Sequence, residues 1–235
     1  MSTEDKINYR YKFILGNGVE REFNIQLDGL TLNLIKTDKI FVYPTWTELK
    51  NFKCPNCTLD EKTSKYCPIA VNIIELVDFF KESISYEEAD VIVNSDAREY
   101  RKHTTLQKGV SALIGIYMVT SGCPVMEKLK PMVRYHLPFA TMEETSYRVI
   151  SMYLLAQYFL YKRGKEVDLE LKKLARIYDD VQVVNRNICA KLRELEIEDA
   201  ILNALINLDC FASSVSLASY EEMLKKIEYV FKVFF

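Results

Sequence analysis

One change of hydrophobic period, near Thr104, limits this chain to a small sheet followed by helices. Before it, Tyr9, Tyr11, Phe13 and Leu15 alternate with Arg10, Lys12 and Ile14. Gly16-Asn17-Gly18 then supplies a turn, and Phe23, Ile25 and Leu27 again fall on every second residue, the period of a half-buried strand. A second hairpin is expected from Asp90–Val93, the Asn94-Ser95-Asp96 turn and Ala97–His103, with more strand at Leu30–Leu34 and Ile40–Tyr43. Beyond Thr104, apolar residues recur at three- and four-residue steps. Leu171, Leu174, Tyr178, Val181, Val184, Ile188, Leu192 and Leu195 form one long stripe; Ile201 to Val215 and Met223 to Phe231 form two more. Thr104 with Gln107, and Thr141 with Glu144, fit the capping box that opens a helix. The expected class is α+β: N-terminal antiparallel hairpins packed on a predominantly helical C-terminal bundle. Residues 1–104 (hairpins, Cys-rich loop, first helix) and 105–235 (bundle) are expected to form a single integrated domain.

Composition supports a packed globule. Of 235 residues, 49% are hydrophobic and 27% charged, and Pro and Gly together number thirteen. The opening MSTEDKINYRYKF carries acids and lacks the apolar run of roughly 7–15 residues that a secretory signal needs. Apolar runs elsewhere are shorter than the ~20 residues needed to span a bilayer. These features predict a cytoplasmic protein without a membrane partner, whose thiols stay reduced. A net charge of −2 with interspersed signs disfavours nucleic acid. The basic group Arg98, Arg101, Lys102 and Lys108 reads as a solvated face.

The cysteines carry the sharpest chemistry. Cys54-Pro55-Asn56-Cys57 has the CxxC spacing with which a tight turn aims two sulfurs at one ion. Cys67 precedes Pro68 and a run of apolar periodicity, so it belongs at a helix start, where the dipole and free amides favour a thiolate. In Thr120-Ser121-Gly122-Cys123-Pro124, Gly122 stops one helix and Cys123-Pro124 opens another. Four such sulfurs suit zinc or an iron–sulfur cluster. The CPxC turn resembles a zinc knuckle, whereas three Cys-Pro dipeptides without a second CxxC resemble cluster ligation. Zinc is slightly favoured, as the commoner structural solution, and a thiol–disulfide switch is the third reading. Cys189 and Cys210, inside helical stripes, read as ordinary free cysteines.

A second polar group offers a different class of function. In the segment from Lys130 to Tyr147, His136 is a candidate acid/base, Glu144 its orienter, Arg134 an anion holder and Tyr147 a further candidate. The plainer reading gives Glu144 to its capping box, with Arg148 pairing one turn later, and makes His136 a packing residue; imidazole is also an admissible replacement for Cys123 on zinc. The usual phosphate-loop, metalloprotease and serine-hydrolase motifs do not occur. The aromatic terminus Tyr229–Phe235 is expected in the chain's own core, with burial in a homodimer or against another protein as the alternative.

From the Tyr9 hairpin to about Cys210 the chain resembles an uncharacterised bacterial family known as a domain of unknown function. CPNCTL, YCPIAVN, TSGCP, KPMVRYHLPFATMEETSYR, SMYLLAQYF and LARIYDDVQVVN carry the resemblance. It implies a four-cysteine signature at Cys54, Cys57, Cys67 and Cys123 and a second important patch at Arg134, His136 and Glu144, and it implies no activity. The expected function is a metal-binding module whose four-cysteine site organises the fold, with a regulatory or interaction role responsive to metal or redox state. The alternative is an enzyme built on the Arg134, His136, Glu144 and Tyr147 region with an adjacent iron–sulfur cluster.

Overall fold

The computed structural model describes residues 6–35, 42–215 and 217–235. Strands β1 (Lys6–Leu15), β2 (Glu20–Asp28), β3 (Glu88–Ser95) and β4 (Glu99–Thr105) form an antiparallel sheet in the order β2-β1-β3-β4. The alternation seen in the sequence sets its two faces. Tyr11 lies opposite Phe23 on one side and Val93 on the other, Phe13 pairs with Val91, and all of these side chains are buried. The outer edge strand β4 exposes the charged Glu99, Arg101 and Lys102 together with His103, which protects that edge from further pairing.

Eight helices follow or interrupt the strands: α1 (Leu49–Phe52), α2 (Pro68–Asn72), α3 (Ile74–Phe80), α4 (Leu106–Val119), α5 (Met142–Lys162), α6 (Lys172–Arg193), α7 (Asp199–Ser214) and α8 (Leu217–Glu228) among the described residues. The fold is therefore α+β. Phe80 of α3 seats edge-on against Phe13 and stacked on Phe23, and α4 crosses the same sheet face. One continuous buried cluster joins sheet residues such as Tyr11 and Val91 to Leu113 of α4, Val184 of α6 and Leu205 of α7. Asp199, at the start of α7, ties the bundle to the segment before β3 by accepting from the Ser85 amide at 2.6 Å and its hydroxyl at 2.9 Å.

Gly109 lets α4 approach the sheet closely. A Cβ there would sit 2.8 Å from Cγ2 of Val91 and 3.0 Å from Cε1 of Phe13, both in the core. Gly109→Ala would gain about 1 kcal/mol of helix propensity and lose about 1–3 kcal/mol to overpacking, so a net loss of stability is expected in a urea melt.

Several expectations change at element ends. Thr104 does not open α4 with a capping box, because it is still paired in β4 opposite Ala89; Thr105 precedes the helix and the Gln107 amide donates to Ser85 O. The helix expected to run on from Pro68 breaks at Ile73 (φ −97°, ψ 2°) into α2 and α3. Leu34 makes only an isolated bridge to Leu27. Of the strand expected at Ile40–Tyr43, residues 40 and 41 lie outside the described residues, and Val42 and Tyr43 are not in a strand. The aromatic terminus does not enter the core: Tyr229, Val230, Val233, Phe234 and Phe235 are exposed on a 3-10 turn that follows α8. Among the described residues no helix is long and apolar enough to cross a membrane.

Candidate functional site

Four separate pieces of backbone bring Cys54, Cys57, Cys67 and Cys123 to one small cavity. The loop carrying the first three closes on itself through a bridge between Glu48 and Tyr66 and a hydrogen bond from the Cys67 amide to Thr47 O at 2.8 Å. That closure sets Cys67 beside the CxxC turn, which the Cys57 amide completes on Cys54 O at 3.0 Å. Cys67 is the N-cap of α2, with Pro68 in the first turn, as its sequence predicts. Asn72, the last residue of α2, donates to Tyr117 O near the end of α4, which ties this short helix to α4. Gly122, at φ 90°, reverses the chain after α4 and presents Cys123. Cys123-Pro124 leads into a 3-10 helix, Met126–Val133, rather than the expected α-helix. The last wall is α6, whose Val184 lines the cavity and whose Asn187 donates to Cys54 Sγ at 3.3 Å.

The enclosed space is about 10 Å³, and all four cysteines line it together with apolar side chains such as Leu49, Phe52 and Val184. That is about the volume of one small atom or water. As the side chains stand, no three or more His, Cys, Asp or Glu among the described residues are grouped so that they could hold a metal ion. The sulfurs thus face a common cavity without being drawn into a formed ligand set. All six cysteines of the chain are free; Cys189 is buried and Cys210 exposed.

Burial dominates the electrostatics. Desolvation, then the neighbouring thiols Cys67, Cys123 and Cys57, push the Cys54 thiol up to about 12. Burial takes Cys67 to about 11 and raises Cys123. The helix-start amides do act in the direction the sequence predicts: those of Ala70 and Ile69 lower Cys67, and those of Met126 and Val125 lower Cys123. They do not overcome burial, so Cys67 is a thiol at neutral pH unless a cation compensates the charge. Backbone amides thus act on the sulfurs of Cys67 and Cys123, and the Asn187 amide donates to that of Cys54.

The second candidate group does not assemble. Arg134 is exposed and donates to Gly29 O at 2.6 Å, away from His136. Glu144 is held in its capping box, accepting from the Thr141 amide at 2.8 Å, and Tyr147 is exposed. Neither orients His136, whose Nε2 instead shares a short hydrogen bond with the fully buried Tyr11 hydroxyl. Burial and the nearby Arg148 push the His136 imidazole down to about 3, so the ring is neutral at physiological pH. It does not line the cysteine cavity and does not replace Cys123. Arg148 does not pair with Glu144 either; it donates to Met132 O at 2.9 Å and Tyr135 O at 3.0 Å.

His136 and Arg148 do line a much larger space, about 590 Å³, between β4, α4, the 3-10 helix, α5, α6 and α7. Nothing in the spacing of residues announced this cavity. Two signals were nevertheless present: Gly115 in the interior of a helix, and Asn185 on the apolar stripe of α6.

In comparisons with known proteins, residues 7–232 match the family described as Domain of unknown function (DUF6901). No curated protein and no solved structure matches the chain. Since that match runs over nearly the whole chain, the protein belongs to the DUF6901 family.

Proposed function

We propose that Cys54, Cys57, Cys67 and Cys123 bind a single zinc ion that holds the CxxC loop, the start of α2 and the turn after α4 together. The observation that carries this reading is the shared cavity: four cysteines, far apart in sequence, line about 10 Å³ of otherwise apolar space. Room for one atom favours a lone ion over an iron–sulfur cluster, and four sulfurs are the donor set that tetrahedral structural zinc takes. Zinc would displace four protons, which the raised thiol pKa values oppose and the ion's charge and the surrounding amides offset. Asn187 would hold the orientation of Cys54, and the Val125 and Met126 amides that of Cys123. Buried thiols of raised pKa are poor nucleophiles, which supports a structural site over a thiol switch or covalent catalysis.

In this reading the protein is a cytoplasmic metal-stabilised module with a regulatory or interaction role, and not an enzyme using Arg134, His136, Glu144 and Tyr147. Elemental analysis of protein purified without oxygen tests it. A single equivalent of zinc in a colourless sample is expected, with pink-to-blue thiolate absorbance after exchange for cobalt. Metal-free protein whose melting ignores added zinc would overturn the proposal, and a brown sample containing iron and sulfide would replace zinc with a cluster.

A further inference from the structure

We propose that the 590 Å³ cavity between β4, α4, α5, α6 and α7 binds a small amphipathic anion, an apolar body carrying one carboxylate or phosphate head. The volume is that of a small-molecule site. Its charge has one sign: Lys102, Lys108 and Arg148 line it, His136 is neutral, and no Asp or Glu among the described residues contributes to the lining. The remaining wall is largely aliphatic and aromatic, including Ile116, Met132, Leu208 and Phe211.

Arg148 is the anchor for the head group. Its Nη2 is engaged by the Met132 and Tyr135 carbonyls, which fixes the guanidinium plane, while Nη1 and Nε make no hydrogen bond to any described residue. No acid among the described residues forms an ion pair with it: Glu144, one turn earlier on α5, acts on it only through space while held in its capping box, so a half-buried cation faces the cavity with donors uncommitted.

Two further observations point to an occupant. Asn185 is 2% exposed and lines the cavity, yet its Oδ1 has no hydrogen-bond partner among the described residues. That oxygen is an acceptor, so what completes it is a donor, a hydroxyl of the ligand or a water beside it, while the anionic head is left to Arg148. Gly115 lies inside α4, where glycine is a poorer helix former than alanine. A Cβ there would meet only Leu208 Cδ2, at an ordinary 3.8 Å. Close packing therefore does not require this glycine, in contrast to Gly109. What its missing side chain preserves is cavity space.

Titration calorimetry on the full chain with decanoate, decyl phosphate and decanol tests the proposal. At least one of the two anions should bind saturably, one per chain, about tenfold or more tighter than decanol, as a charged hydrogen bond implies. The better of the two identifies the head group. Arg148→Met should remove the preference for the anion over decanol. Gly115→Leu should abolish binding of all three while the melting temperature holds or rises, so the test survives if Arg148→Met fails to fold. Absence of binding, equal affinity for anions and alcohol, or binding that survives Gly115→Leu would each overturn the proposal.

Discussion

Replacing Cys57 with serine is expected to lower zinc content and melting temperature together. Cys57 is the informative choice because it is the only half-buried member of the four; Cys54, Cys67 and Cys123 are buried, where a serine hydroxyl would itself destabilise. The turn is closed by backbone, from the Cys57 amide to Cys54 O, so it survives the change. What is lost is one ligand. A structural zinc contributes about 10–16 kcal/mol of apparent binding energy in small domains. Loss of roughly a quarter of that would lower the melting temperature of a chain this size by about 10 °C. Chelation should reproduce the shift in the unmodified protein and do little further to the variant. Equal metal content and equal melting in the two proteins would dispose of the four-sulfur site. His136→Ala, by contrast, should leave zinc stoichiometry unchanged, because His136 belongs to the other cavity.

Acid should weaken the fold through His136. Its imidazole is held at about 3, from an ordinary value of 6.5, by burial and by Arg148 on α5; Tyr9 and Tyr11 face it from β1. At neutral pH the ring is uncharged in both folded and unfolded states, so it adds no pH dependence there. Below about pH 6.5 the unfolded chain takes up a proton that the folded one refuses, and stability falls by about 1.4 kcal/mol per unit until about pH 3. Near pH 5 the accumulated loss is about 2 kcal/mol. His136→Gln keeps an acceptor for the Tyr11 hydroxyl and cannot titrate, so the difference between variant and parent in urea melts should change by that amount between pH 7 and pH 5. A constant difference would mean that the imidazole is solvated. His103 has the opposite sign: Glu88 and Asp90 raise its pKa, so its contribution is present in acid and lost as pH rises. It is exposed and common to both proteins, as is any acid release of zinc, so both cancel in the comparison.

The hairpins were legible because a half-buried strand writes its faces into every second residue. Tyr9, Tyr11 and Phe13 all turn inward, as their alternation predicts, and the α6 stripe from Leu174 to Leu192 is buried along its length. Element ends were less legible. Thr104 satisfies the capping-box pattern equally well as a strand residue, and only its pairing with Ala89 decides between the two. The Arg134, His136 and Glu144 group illustrates the limit from the other side. These residues are close in sequence, but their side chains find separate partners, Gly29 O, the Tyr11 hydroxyl and the Thr141 amide respectively.

By itself the sequence determined the two hairpins, the long helical stripe of α6 and the placing of the cysteines at turns and helix starts, because those properties depend on neighbours within a few residues. Tertiary structure alone decided that Cys123 meets a loop more than fifty positions earlier, that Arg148 is held by two backbone carbonyls rather than by Glu144 and that Asn185 lines a cavity. Each of these is set by how α4 and α6 cross the rest of the chain. Burial raises thiols, lowers an imidazole and strands an amide according to what surrounds them in space, and no local pattern of residues encodes that surrounding.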